Sequence, residues 1–266
     1  MTSQNNEIIG NYEVTDKEVI TRREVLFMGA MAAGSLVAAL PAQADPAISA
    51  TAPIIGAKSG DPYVAKDFSS LTSKKLTGMS SNQIEQHLKL YKGYVGKANE
   101  IQSKLKDVDI TTANATYSPL RELLVEQSFA LNGVIYHEFY FGNLGGAGGE
   151  PTGDLKLAIE ASFGSTGKFM DYFKAAGKCM RGWVIVGYNT RDGQLHAYGL
   201  DMHNMWVPAN VIPVVVLDVY EHAYMIDYGI DRAKYLDAFV ANIDWDVCNK
   251  RFALASKHSG GPDSTL

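Results

Sequence analysis

The sequence predicts an α+β fold: an N-terminal antiparallel hairpin of two long helices, then an α+β half with a three-stranded antiparallel sheet. Three observations carry this reading. Residues 81–105 and 120–139 each repeat apolar side chains at three- and four-residue steps, with a polar break between them. Three short apolar runs follow, bounded by turn residues. Helical periodicity resumes only after the third run.

Thr21-Arg22-Arg23-Glu24-Val25-Leu26-Phe27 is a twin-arginine pattern, followed by a small-residue apolar run and by Pro41-Ala42-Gln43-Ala44, a cleavage signal. The apolar run, 26–40, has 15 residues, short of the roughly 20 that span a bilayer. Residues 1–44 are therefore expected to be a Tat signal peptide cut after Ala44, directing the protein to the periplasm or outside the cell with no membrane span left. An uncleaved anchor is the alternative. Residues 45–60, rich in Ala, Pro, Ser and Gly, read as a flexible tether.

Ile84, His87, Leu88, Tyr91, Val95, Ala98, Ile101 and Leu105 form the stripe of the first long helix. Ser118-Pro119 supplies an N-cap and a first-position proline for the second, which carries Leu120, Leu123, Leu124, Phe129, Leu131, Val134, Ile135 and Phe139. A helical-hairpin domain is thus expected over 61–145. Residues 142–153 hold six glycines and a proline and read as the boundary between two halves. A phosphate loop is rejected there, because the Lys-Ser/Thr ending and a preceding strand are both missing. An α+β domain is expected over 146–256: helices at 155–163 and 166–180, strands at 183–188, 194–199 and 211–219, and helical patterns over 232–254. Residues 257–266 read as a loose tail.

The chain has 266 residues, 46% hydrophobic and 20% charged, enough for a real core and unlike a disordered tail. A formal charge of −5 argues against a nucleic-acid partner. Removing 1–44 leaves 21 basic and 24 acidic residues, a net −3. Cys179 and Cys248 are expected to be buried free thiols rather than a disulfide, and neither has zinc-site spacing.

The chemistry concentrates in Leu217-Asp218-Val219-Tyr220-Glu221-His222-Ala223-Tyr224. Asp218 ends an apolar strand, and His222 sits on the following turn. A buried carboxylate needs positive charge beside it. His87 and His137 lie on the apolar faces of the two long helices. Three neutral imidazoles and one carboxylate suit a redox metal such as iron or manganese. Each histidine alone reads equally as a core or surface residue; the joint pattern gives the reading its weight.

From Pro62-Tyr63 to about Phe252 the chain resembles the iron/manganese superoxide dismutases. The carrying segments are Ile84-Glu85-Gln86-His87, Tyr94-Val95, His137-Glu138-Phe139-Tyr140-Phe141, Gly148-Gly149-Glu150-Pro151-Thr152-Gly153, Ala161-Ser162-Phe163-Gly164-Ser165, Gly182-Trp183, Asp218 to Tyr224, Asp227-Tyr228 and Arg232. The resemblance implies one iron or manganese ion per subunit, held by His87, His137, Asp218 and His222, that converts superoxide to dioxygen and hydrogen peroxide. It implies Tyr94 as the gateway that orients solvent and relays protons, and Trp183 packed on the site. Gly133 stands where some members carry glutamine; His203 is expected to supply that contact instead, with iron favoured. Glu221 is expected to reach a partner's His222 across a homodimer. Arg232 is expected to attract the anion or to form a structural ion pair.

The chain also departs from the pattern. His87 and Tyr94 are seven residues apart where the family typically has eight, as if a helical bulge were lost. The second gateway histidine is replaced by Leu90 or Tyr91, and its tyrosine partner by Met225. Phe141, Ile185 and Tyr220 replace usual tryptophans. Slower proton delivery is expected, with the metal ligands spared. The alternative functions are a weakly active or non-catalytic metal-binding protein of the envelope and a non-haem iron oxygenase, against which the fourth ligand argues.

Overall fold

The computed structural model describes residues 61–258. The signal expected at 1–44, the tether at 45–60 and the tail beyond His258 lie outside the described residues. Lys257 and His258 close a 3-10 turn, Ser256–His258. The architecture is the expected α+β arrangement, with helices preceding a three-stranded antiparallel sheet.

A one-turn helix, α1 (Ser70–Ser73), precedes the hairpin and left no periodic signal. Helix α2 (Ser81–Lys106) starts at Ser80, whose hydroxyl accepts from the Gln83 N–H at 3.1 Å. Helix α3 (Pro119–Asn143) starts at Ser118, whose hydroxyl accepts from the Arg121 N–H at 3.3 Å. Both caps satisfy donors that a helix start leaves open. Helix α2 runs as α-helix throughout, with no bulge. Seven residues fall only ~20° short of two full turns, so the short spacing leaves His87 and Tyr94 on nearly one face.

Helices α4 (Gly153–Phe163) and α5 (Thr166–Cys179) lead into strands β1 (Trp183–Asn189), β2 (Gln194–Leu200) and β3 (Val211–Asp218). The order is β2-β1-β3, all antiparallel. In this register Trp183 pairs with Asp218. Between Val186 and Gly187 the pairing slips past Val214, next to Pro213. A bulge is where a strand tolerates a proline that cannot donate to the ladder. Val214 to Leu217 are fully buried. Helix α3 meets β3 through Asn143, whose amide donates to the Val216 carbonyl at 2.6 Å and accepts from Arg251 at 2.5 Å. After β3 come a 3-10 turn, Glu221–Ala223, and α6 (Met225–Tyr228).

The helical patterns expected from 232 to 254 form two helices, α7 (Arg232–Ala241) and α8 (Trp245–Ala255). Buried Asn242 ends the first by donating to the Ala238 and Thr77 carbonyls, both at 2.7 Å, and Asp244 caps the second. The glycine-rich stretch packs on this break. A Cβ at Gly148 would lie 2.7 Å from the Ala241 carbonyl oxygen, and Gly146 lies against the Ile243–Asp244 backbone. Close backbone approach therefore accounts for these glycines. One expectation needs correction: Cys179 is exposed; only Cys248 is buried, and both are free. Cys179 is the last residue of α5, where the packed face has already turned away. Among the described residues, no helix is long and apolar enough to cross a membrane.

Candidate metal centre

Helices α2 and α3 bring His87 and His137 to the end of β3. Their imidazoles and the Asp218 carboxylate are fully buried, while the His222 side chain keeps 29% exposure. The Nε2 atoms of His87, His222 and His137 lie 3.1, 3.2 and 3.6 Å from Asp218 Oδ2. One donor atom from each of the four falls within 4.8 Å of all the others. Asp218 is oriented for this: its Oδ1 accepts from the Tyr220 N–H at 2.9 Å, and its backbone carbonyl accepts from buried Tyr235 at 2.7 Å. His137 Nδ1 donates to the Gly133 carbonyl at 2.5 Å, turning Nε2 inward.

Electrostatics favour the ligand form of His87, His137 and Asp218. Burial pushes the His87 imidazole down and holds His137 at about 3. Burial pushes the Asp218 carboxyl up, but the charge and hydrogen bonds of His222 and His87 outweigh it and keep it well below the usual range. Imidazole nitrogens around a buried carboxylate suit a first-row redox cation. The fit shows in His137 Nε2, which is buried with no hydrogen-bond partner among the described residues. Such an atom costs about 1–3 kcal/mol, and a cation at the cluster would satisfy it. His87 Nδ1 is likewise without a partner, and the cluster gives no account of it.

Around the four lies a second group. The Trp183 indole N–H donates to His203 Nδ1 at 2.9 Å, and His203 Nε2 lies 2.8 Å from the Tyr94 hydroxyl. Burial holds the His203 imidazole at about 4, hence neutral. With Nδ1 accepting, its one proton sits on Nε2 and is donated to the Tyr94 oxygen. The Tyr94 O–H is then free to donate elsewhere. Tyr94 and His137 ring centroids are 5.4 Å apart, and Trp183 meets His137 edge-on at 5.1 Å. A Cβ at Gly133 would lie 2.8 Å from the Tyr94 ring. Glycine there lets Tyr94 lie against α3.

Tyr91, not Leu90, points inward one turn after His87. It is fully buried, donates to Glu138 at 3.0 Å and accepts from the Lys66 N–H at 2.9 Å, away from any mouth. Met225 is exposed, and Glu221 is exposed beside His222. Tyr220 stacks on His222 with centroids 5.2 Å apart. Arg232 is neither free nor ion-paired among the described residues. It donates to the Met180 carbonyl at 2.6 Å and lies over Tyr224, closing the end of α5.

Three residues escaped the sequence reading. Besides Tyr235, the Asn132 amide donates to the His203 carbonyl at 2.9 Å, and the Gln83 amide to the His222 carbonyl at 2.7 Å. Gln83 sits at the helical i−4 position from His87, the one local signal available.

Residues 151–251 match the family described as iron/manganese superoxide dismutases, C-terminal domain. An iron superoxide dismutase of Aquifex aeolicus is 47% identical over 192 residues, covering 70% of this chain and 90% of the relative. One of Cupriavidus metallidurans is 41% identical over 68% of this chain and 92% of the relative. A manganese superoxide dismutase of Mycolicibacterium smegmatis is 33% identical over 68% and 88%.

Proposed function

The chain belongs to the iron/manganese superoxide dismutase family, and we propose that it converts superoxide to dioxygen and hydrogen peroxide at one metal ion held by His87, His137, Asp218 and His222. The single observation that carries the site is the convergence of three imidazole Nε2 atoms from two helices and a turn on one buried carboxylate oxygen. When bound, iron or manganese supplies the one-electron couple that takes an electron from one superoxide and returns it to the next. The chain's own residues handle protons, because two are consumed for each peroxide formed. Tyr94 presents its hydroxyl proton, His203 donates to the same oxygen from behind, and Trp183 holds His203 in that tautomer. Trp183 and Tyr220 pack their rings on His137 and His222. Purified protein with quantified metal, assayed for superoxide decay, tests the activity. Full turnover in His222→Ala would overturn the assignment.

One observation favours weak turnover instead: Tyr91 faces inward and Met225 outward, so the position beside Tyr94 has no second proton-relaying pair. A metal-loaded protein with superoxide decay at the level of free metal would select that reading.

The resident metal is proposed to be iron. Gly133 with His203 supports this, as do the two relatives named for iron above 40% identity. Reconstitution with each metal separately tests it. The functional unit is proposed to be a homodimer. Support comes from His222, half open at the edge of the site, beside exposed Glu221 and exposed Met225, Ile226 and Ile230. Burying those apolar groups would favour association, and Glu221 would meet the partner copy's imidazole. Glu221→Arg, followed by light scattering, is expected to give monomers. Export through the Tat pathway rests on Arg22-Arg23 and on the cleavage pattern at Ala44. Fractionation of cells expressing Arg22→Lys/Arg23→Lys is expected to find the protein retained inside.

A further inference from the structure

We propose that Gln83 is a positioning residue that fixes the helix bearing His87 to the turn bearing His222, and so sets how tightly the metal is held. The inference rests on the metal site proposed above. Gln83 is 2% exposed, on a helix whose other buried side chains, His87 apart, are aliphatic or aromatic. Both ends of that amide reach across the fold. Its Nε2 donates to the His222 carbonyl at 2.7 Å, and its Oε1 accepts from the Ile226 N–H at 3.2 Å. Residues four apart lie on one helix face, so one side chain joins the helical turn below one ligand to the backbone of another.

A second link exists further out. The Ser80 N–H and hydroxyl both donate to Asp227, at 2.7 and 2.6 Å, but this pair is exposed. Water can replace an exposed link and cannot replace a buried one. A coordination sphere tolerates misplacements of only about 0.5 Å, and loss of groups that orient ligands typically costs 10- to 100-fold in metal affinity. With Gln83 gone, the His222 turn would be held to α2 by its outer edge alone.

The test uses the iron-loaded full chain and the rate at which excess chelator removes the iron. Gln83→Leu removes both hydrogen bonds. Gln83→Glu keeps an acceptor for Ile226 and removes the donor to His222. Ser80→Ala loosens the same junction from outside and deletes a helix cap. Gln83→Leu is expected to release iron about 10- to 100-fold faster than the parent. Ser80→Ala is expected to stay within about twofold while its apo melting temperature falls. Release from Gln83→Leu within twofold of the parent overturns the inference. So does Ser80→Ala releasing as fast as Gln83→Leu, the mark of general loosening. If Gln83→Leu does not fold, Gln83→Glu decides by the same ratio. A parent that yields its iron at once overturns the metal site itself, and this inference with it.

Discussion

The two edges of the centre are built differently. On the inner edge, His87, His137 and Asp218 are fully buried, each fixed by its own chain: a helix face, an i−4 carbonyl, a strand end. On the outer edge, His222 is part-exposed on a 3-10 turn, and its neighbours Glu221, Met225 and Ile226 face outward. The inner edge is complete within one chain. The outer edge is held by a borrowed side chain, Gln83, and presents apolar surface. Substitutions at the two edges should therefore fail in different ways.

The largest effect should come from the inner edge. Asp218→Asn removes the one negative charge of the donor set and leaves three imidazoles facing an amide. Metal content after purification is expected to fall at least about 100-fold, beyond the range for groups that only orient a ligand. Metal analysis checks this, and near-stoichiometric metal in the variant would remove the contrast between the edges.

Next come substitutions that spare the ligands and disturb Tyr94. Gly133→Ala places a Cβ where the Tyr94 ring lies. Metal content should hold, while turnover falls about tenfold or more through loss of a placed proton donor. Tyr94→Phe should fall by a similar factor, and the double variant should be no worse than either alone. Additive losses would show that Gly133 acts elsewhere.

The inner edge also predicts a pH response of the metal-free protein. Burial holds His137 at about 3 and His203 at about 4, both below the unfolded value of about 6.5. The unfolded chain therefore binds these protons first. Stability is fully present above about pH 6.5 and is lost as pH falls from there towards 4, at up to about 1.4 kcal/mol per unit for each histidine. Denaturant titrations of apo protein at pH 7.5, 5.5 and 4.5 read it, and a His203→Gln background should reduce the slope. An unchanged slope would mean that His203 is open to water.

Much of this contrast follows locality in the sequence. The long helices, the Ser118 cap and the three strands were legible because each is encoded by neighbours in the chain. His87 and His137 stood out as imidazoles on apolar stripes, and Asp218 and His222 as a carboxylate and an imidazole one short turn apart. The break at Asn242 was not legible, because its cause is the Thr77 carbonyl, 165 residues away. Gln83, Asn132 and Tyr235 were missed for the same reason. Each holds a backbone carbonyl of a distant segment, and a polar residue on a helix reads as solvent-facing unless its partner is known. The Trp183–His203–Tyr94 chain needed the register that sets Trp183 opposite Asp218.

The smallest predicted effect uses the two thiols as reporters of inside and outside. Burial pushes the Cys248 thiol up to about 12, and the thiolate is the reactive form. Cys179 is exposed at the end of α5, with its thiol donating to the Ala176 carbonyl at 3.3 Å. A thiol alkylator should attach once per chain, at Cys179, under native conditions and twice after unfolding. Since Cys179 lies outside the cluster and its surrounding groups, labelling should leave metal content and turnover unchanged. Mass spectrometry of the native reaction gives the answer. Two labels would mean that α8, which carries Cys248, opens to solvent.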